Sequence, residues 1–457
     1  MDKQHFFGAA GETAFHPAAL IMLVVCGVLI FALPRRYVFV PLLVAAILIP
    51  GQQKVMIGGL HFTLPRILLL LGWMRLLLVR IQAGRSGIRW TTLDSVFVAY
   101  CLSNAIMYSL LWGESGAVIN RLGFLYNALG IYFFIRYFVR DTSDIRRVTT
   151  TFAWILIAVA VCMLNEQVTQ RNVFSVFGGV PPVTEVRGDK LRSQGPFAHP
   201  LTAGTVGATL CPIMLGLCWH QRKKRKIAVA GSAACVAMAL TSMSSTPVLA
   251  LGAGLFALFL WPARRYLVWM RWGAVAALIV LHLVMKAPVW ALIGRIDLTG
   301  SSSSYHRYQL VDQAIRRVGE WWVFGTRDTS SWGWDMWDTI NSYVAAGTDG
   351  GLLTLILFVA IFAVAFHQLG AARRVWRSDF ENTRRMWALS AMLFAHTVAF
   401  FGIGYFDQSS VPWYTGLALI GTAVSLKSPA RQPAVQAELA TPPASFSHAT
   451  PSYEQFA

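Results

Sequence analysis

Apolar runs, many of them roughly 17 to 22 residues long, recur along most of this 457-residue chain and constrain the fold more than any other feature. A run of that length matches the ~30 Å hydrocarbon core of a bilayer. Lipid offers no partner to a free backbone N–H or C=O, so such runs are expected to be helices. Composition agrees: 56% of the residues are hydrophobic and only 13% are charged. A soluble protein of this size has too little interior to enclose that much apolar side chain. Spans are expected near 17–33, 37–50, 64–79, 93–112, 122–138, 149–164, 201–219, 227–239, 248–261, 267–284, 352–366, 387–406 and 413–426. The expected fold is therefore all-α, a polytopic transmembrane bundle of about 12–13 spans. The segment before the first run carries Asp2, Lys3 and Glu12 and offers no small-residue cleavage site, so the first span is expected to be retained.

A net charge of +18 would suggest a nucleic-acid partner in a soluble protein. Here Lys and Arg gather in short loops between spans: Arg80, Arg85 and Arg89; Arg140, Arg146 and Arg147; 222–226; Arg264, Arg265 and Arg271; and Arg373, Arg374, Arg377, Arg384 and Arg385. Counting spans puts all of these on one side, which the positive-inside rule makes cytoplasmic. Loops 51–63, 165–200 and 286–350 then face the opposite side. The Pro-, Ala-, Ser- and Thr-rich tail 427–457 reads as a disordered cytoplasmic segment after a membrane domain 1–426. The six cysteines lie in or beside apolar runs without a CxxC pair, and read as packing residues.

Two of the outside loops are long and not compositionally disordered. They hold Phe174, Phe177, Phe197, Tyr305, Tyr308 and a Trp-rich stretch containing Trp321, Trp322, Trp332, Trp334 and Trp337. Loops of such length usually carry function or are disordered. They also keep Arg187, Lys190 and Arg192, and then Arg307, Arg316, Arg317 and Arg327, on the side where basic residues are disfavoured. An anionic ligand is the simplest reason. The serine run 301–304 offers N-caps to an amphipathic helix over 305–323, with Tyr308, Val311, Ile315, Val318 and Trp322 on one face. Arg307 falls ~60° from the centre of that face at ~100° per residue, whereas Arg316 and Arg317 fall roughly opposite. An inward Arg307 is either functional or ion-paired, with Asp312, Asp335 and Asp338 as the candidate partners.

The stretch Arg192-Ser193-Gln194-Gly195-Pro196-Phe197-Ala198-His199-Pro200 resembles the R-x-x-G-x-F-x-H-P signature of the O-antigen ligase/polymerase superfamily. Leu240-Thr241-Ser242 with Ser244-Ser245-Thr246 is similar to a second segment of that family. So are Gly58-Gly59-Leu60-His61-Phe62-Thr63, Val323-Phe324-Gly325, Asp338-Thr339-Ile340-Asn341-Ser342-Tyr343 and Gly350-Gly351-Leu352, the last read as opening a span. The similarity runs from about Gly51 to Phe406, and rests on the order and spacing of individually weak motifs. The resemblance implies a GT-C-like, bacterial inner-membrane glycosyltransferase with its site facing the periplasm. Such an enzyme moves a glycan from undecaprenyl diphosphate to a hydroxyl of lipid A, of another glycan or of a protein. It implies that Arg192 and Arg307 bind the diphosphate. The family carries His where this chain has Ile340, which leaves Asp338, His306 and His199 as candidate bases, or no side-chain base.

The chemistry suits those residues. Charge accumulates on the departing phosphate, and guanidiniums pair two of its oxygens and stay ionised in a low-dielectric cleft. A lipid diphosphate leaves readily, so no metal or cofactor is expected, and the outside loops hold no ligand cluster at metal spacing. Arg187, Lys190, Arg327, Asn341 and Tyr343 are candidate substrate-binding residues. Asp338 and Asn341 can alternatively cap a helix, and His199 can hydrogen-bond at a helix entrance. Tyr343 and the tryptophans can alternatively form an interfacial belt. A transporter or flippase of a polar solute or polysaccharide is the alternative class, which would place ionisable residues within the spans.

Overall fold

The computed structural model describes residues 16–57, 60–83, 88–218, 225–295 and 303–426. Within them the chain is mostly helical: α1 (Pro17–Ala32), α2 (Phe39–Leu48), α3 (Leu64–Ala83), α4 (Thr92–Trp112), α5 (Ser115–Phe138), α6 (Thr142–Thr169), α7 (Pro200–Cys218), α8 (Arg225–Thr241), α9 (Ser245–Phe259), α10 (Leu267–Val284), α11 (Ser303–Arg316), α12 (Val318–Trp321), α13 (Ser342–Val375), α14 (Phe380–Ala399) and α15 (Asp407–Ser425). Every apolar run forms a helix, so the all-α expectation holds. Two short hairpins interrupt it, β1–β2 (Lys54–Ile57 and Leu60–Thr63) and β3–β4 (Glu185–Arg187 and Lys190–Arg192). The tail 427–457 expected to be disordered, the segment 1–15, and Gly58 and Gly59 of the first-hairpin motif lie outside the described residues.

Among the described residues six helical segments are long and apolar enough to cross a membrane: α4, α5, α6, α7, Pro262–Val284 and α13. Pro17–Ala32 and Ser245–Phe259 are apolar but shorter. The expected count of 12–13 full crossings is therefore not reached by length and composition alone. The reason is visible in the sequence: α2 spans 10 residues, and α3 carries Arg66, Arg75 and Arg80 within 20 residues.

Burial differs sharply between helices. The apolar window of α7 is 89% buried, whereas that of Pro262–Val284 is 0% buried. Small residues explain the first: added side-chain carbon at Gly204 would meet Ser242 and Pro247, and at Gly207 the Cys235 carbonyl at 2.9 Å. Backbones that approach this closely gain packing that lipid alone cannot supply. The five cysteines with described side chains are free and wholly or partly buried, as packing residues are; the side chain of Cys218 lies outside the description.

Among the described residues, Arg89, Arg146 and Arg385, from three of the basic clusters, lie at one end of the bundle, while Arg85 and 222–224 lie outside the described residues. Glu381 pairs with Arg385 at 3.0 Å and Arg146 at 3.8 Å. Arg136 forms a bidentate bond with Asp94 and also donates to the Arg89 carbonyl. The first turn of α6 and the last turn of α13 lie at this end, so the C-terminus of α6 and the N-terminus of α13 lie at the other, with loops 170–199 and 317–341.

The helix expected over 305–323 is two helices, broken where Arg317 leaves helical geometry at φ −104°, ψ 28°. Its buried face runs through Ser304, Arg307, Leu310 and Ala314, not through Ile315, Val318 and Trp322, which are exposed. The expected face was rotated because apolar side chains in this protein also point outward. Arg316 and Arg317 pair locally with Asp312 and Glu320, on the outside as expected.

Gly350-Gly351 breaks α13, so the apolar segment starts at Leu352 as expected, but a short helical segment from Ser342 precedes it; both glycines leave helical geometry, Gly351 at φ +73°. The Val323-Phe324-Gly325 strap crosses this break at backbone contact. Leu352 N donates to the Trp322 carbonyl at 2.8 Å, and Thr326 N to the Thr348 carbonyl at 2.8 Å. Groups freed by the break are thus paired by the strap, as a buried helix interruption requires.

Candidate functional site

Arg192 ends the β3–β4 hairpin, whose two-residue turn has both Gly188 and Asp189 at positive φ (54° and 58°). That turn matches the twist of paired strands and sets Glu185 opposite Arg192. Glu185 receives Arg192 Nη1 at 2.5 Å, and Ser244 Oγ receives Nη2 at 2.7 Å. The guanidinium is buried, and its Nε has no hydrogen-bond partner.

The chain after Arg192 is fixed by Glu166, a buried carboxylate near the end of α6. It accepts from Gly195 N at 2.9 Å and Gln194 N at 3.2 Å, and from the Thr184 hydroxyl. Asn172 closes the same turn by donating to the Gly195 carbonyl. Gly195 is needed for its φ of +56° and for the Met163 side chain 3.2 Å from where a Cβ would stand. Nothing in the spacing of the Arg192–Pro200 motif pointed to Glu166, which lies outside it.

Ser244 is the N-cap residue of α9, but its hydroxyl serves Ser242 O and Arg192, not the first turn of the helix. Two residues on, Thr246 donates to the Gly402 carbonyl. Gly402 is pinched between Thr246 and Arg307, whose Nε lies 3.2 Å from where a Cβ would stand. Arg192 from one loop thus bonds the residue that begins α9, and Arg307 from the other flanks Gly402 together with Thr246 of the first turn of α9. That terminus carries about +0.5 charge of its own, and Glu185 is the anion that Arg192 holds beside it.

The turn following α14 organises the remaining residues. Its Phe400, Phe401 and Ile403 carbonyls accept from Ser342 N, Asn341 Nδ2 and Ser342 Oγ. Asn341 is fully buried, and its Oδ1 caps α13 by accepting from Tyr343 N and Val344 N. The Tyr343 hydroxyl donates to the Thr397 carbonyl. Both residues expected to contact substrate thus hold α13 against α14, the capping alternative for Asn341. Arg327 is likewise engaged elsewhere, donating to Leu111 O at 2.7 and 2.9 Å at the C-terminus of α4. Arg187 and Lys190 face each other at the exposed hairpin tip.

The three candidate bases divide by tautomer. His199 Nδ1 accepts from Leu201 N at 3.1 Å, so the neutral ring carries its proton on Nε2 and presents a donor. Burial, then the Arg192 charge, lowers its pKa, with Glu185 pulling the other way. His199 is therefore a neutral hydrogen-bond donor beside Arg192, which runs against its expected role as base. His306 Nε2 lies 2.9 Å from the Asp335 carbonyl, which places that proton on Nε2 and leaves the Nδ1 lone pair for a proton. Asp338 neighbours His306 and Asp335. Burial raises its pKa, His306 opposes the rise and Asp335 adds to it. Of the aspartates weighed as Arg307 partners, Asp312 is taken by Arg316 and the Trp290 indole.

An apolar cavity of 370 Å³ opens beside this region, between α11 and α13, lined by Val311, Ala314, Trp321, Val344, Leu355 and Phe401 among others. The tryptophans split into two sets. Trp321 and Trp332 are core, whereas Trp334 and Trp337 are 88% and 71% exposed on either side of Asp335. Among the described residues no group of three or more His, Cys, Asp or Glu side chains is placed to hold a metal ion. No protein-family model matches the chain, and no curated protein matches it.

Proposed function

We propose that this chain is an inner-membrane glycosyltransferase of the O-antigen ligase/polymerase kind, with a GT-C-like bundle. It would move a glycan from undecaprenyl diphosphate to an acceptor hydroxyl on another glycan or on lipid A. The observation that carries this reading is that Arg192 bonds Ser244 at the start of α9 while Arg307 and Thr246, in the first turn of that helix, flank the same glycine, Gly402. Two guanidiniums near a helix N-terminus suit a diphosphate, which would replace Glu185 as the anion held by Arg192. The 370 Å³ apolar cavity beside α11 suits the first isoprene units of the donor. The site lies at the end of the bundle opposite the basic clusters, which is the periplasmic side if positive-inside holds.

In the reaction the bond from sugar C1 to the diphosphate oxygen breaks, and its electron pair leaves with the diphosphate. The acceptor oxygen forms the new bond to C1, and its proton passes to His306 Nδ1 or to Asp338. Arg192 and Arg307 stabilise the departing charge more than the bound ground state, which accelerates the step. His199 Nε2–H can add a hydrogen bond to the same leaving group. The pair His306–Asp338 sits beside an exposed aromatic pair suited to stacking on sugar faces.

One observation favours a transporter instead: α13 is interrupted near the Arg121–Asp349 ion pair at 3.2 Å, and transporters bind at broken helices. The break is already closed by the 322–326 strap, which is why the transferase reading leads. Reconstitution decides between them. Purified protein in liposomes is offered undecaprenyl-diphosphate glycan with each acceptor, and the product is sized. A ladder indicates polymerase and a single transferred block indicates ligase. Glycan that crosses the bilayer still attached to its lipid, with no transfer to any acceptor, refutes the proposal.

A further inference from the structure

At the end of the bundle remote from Arg192 and Arg307 lies a second concentration of guanidiniums. Arg264 and Arg265, between α9 and α10, and Arg373, Arg374 and Arg377, at and after the end of α13, line one cavity of 490 Å³. Aromatic faces hold two of them: Arg264 lies 4.4 Å from the Trp261 ring centroid and Arg373 lies 5.1 Å from that of Trp387. Arg373 stands within electrostatic reach of both Arg264 and Arg374. No acidic side chain lines the cavity. Among the described residues none of the five forms an ion pair. Like charges gathered without a counter-charge repel one another, so this arrangement gains from an anion.

The cavity does not stand alone. Arg373 also lines an adjoining apolar cavity of 390 Å³ between α9, α10, α13 and α14, walled by Phe256, Leu260, Leu267, Val268, Phe366 and Phe394 among others. The outer wall is α10, whose apolar window is 0% buried and so faces the surrounding bilayer on most sides. A positive chamber at a helix end thus continues into an apolar cleft running toward the membrane centre.

We propose that this composite cavity binds an anionic phospholipid, its phosphate held by Arg264, Arg265, Arg373, Arg374 and Arg377 and an acyl chain laid in the cleft between α9, α10, α13 and α14. Charge complementarity selects the headgroup, because guanidiniums pair phosphate oxygens two at a time. Basic pockets between spans on the cytoplasmic side are suited to such headgroups. The cleft selects a lipid over a free anion. The site is independent of the proposed transferase chemistry, since the part of α13 after its break, Leu352 to Val375 and so roughly 35 Å long, separates the two.

The test is lipid retention by the full chain. Protein extracted in mild detergent is titrated with phosphatidylglycerol or phosphatidylcholine and followed by native mass spectrometry. Phosphatidylglycerol is expected to bind preferentially. The triple variant Arg265→Gln, Arg374→Gln, Arg377→Gln should bind it about a hundredfold more weakly, at about tenfold or less per cation removed, while Arg264 and Arg373 keep their aromatic contacts. Ala257→Trp, which fills the cleft and leaves every arginine in place, should also weaken phosphatidylglycerol binding. This second variant carries the test if the triple variant loses its helical circular dichroism. Equal binding of the two lipids, unchanged binding in a folded variant, or thermal protection by inorganic phosphate equal to that by the lipid would each overturn the proposal.

Discussion

Replacing Gly351 by alanine tests whether the strap over the α13 break holds the site together. Gly351 has a φ of +73°, and a Cβ there would stand 2.2 Å from the Val323 carbonyl oxygen. With ψ at −176° this is a backbone region that essentially only glycine adopts, and it costs an L-residue of order 1–3 kcal/mol. The contact is with backbone, so no side-chain rotation relieves it, and the strap must move. Moving it strands the bonds from Leu352 N to Trp322 O and from Thr326 N to Thr348 O, each about 1–3 kcal/mol when buried and left unmade. The expected loss is about 3–9 kcal/mol, read by equilibrium unfolding in mixed micelles against wild type. Gly252→Ala, inside α9 with nothing within 4 Å, is the control and should be neutral or stabilising by about 0.5–1 kcal/mol. Because the strap follows α11 and α12, Gly351→Ala should also lower transfer. A stability within about 0.5 kcal/mol of wild type, the range of ordinary surface substitutions, would refute this account of the break.

Three further outcomes are expected. Arg192→Lys should lower transfer by about 10²–10³-fold, because one ammonium cannot replace the fork that spans Glu185 and Ser244; a near-normal kcat would contradict that. Asp338 has a raised pKa in the folded chain, so folding takes up a proton there and stability declines as pH rises between the ordinary carboxylate range and the raised value. Asp338→Asn should flatten that segment of a stability–pH profile, and an unchanged profile would show that Asp338 does not titrate differently on folding. Asp94→Asn should cost about 3–5 kcal/mol, since it leaves the Arg136 guanidinium buried with side chains 2% and 0% exposed across the pair; denaturant unfolding measures it, and a loss below about 1 kcal/mol, the level of an exposed ion pair, would contradict it.

The helices were legible because lipid imposes one rule on sequence, a long apolar run, and each such run obeys it. Their ends were less so. The polar termini of α6 and α13 extend well beyond their apolar stretches, so loops 165–200 and 286–350 are shorter than the sequence suggests. Face assignment failed for α11 because the rule that apolar means inward weakens where outward can mean lipid. Ile315 and Trp322 are exposed while Arg307 is buried. Within the site, Arg192, His199, Arg307 and His306 were visible as unusual residues in long loops. Glu166 and the 400–404 turn were not. The turn acts through backbone carbonyls, which carry no residue signature, and Glu166 lies in an apolar helix well before the motif it supports. Asn341 and Arg327 were visible as polar loop residues, but their work is at helix ends, which spacing alone does not distinguish from ligand binding.

Binding of undecaprenyl diphosphate to the purified protein in nanodiscs, followed by ³¹P NMR, bears most directly on whether two distant arginines share one phosphate site. Wild type should bind, and Arg192→Ala and Arg307→Ala should each weaken binding. The double variant should lose less than the sum of the two free-energy changes, as residues acting on one ligand do. Undiminished binding in both single variants, with helical content intact, would contradict the convergence of Arg192 and Arg307 on a diphosphate.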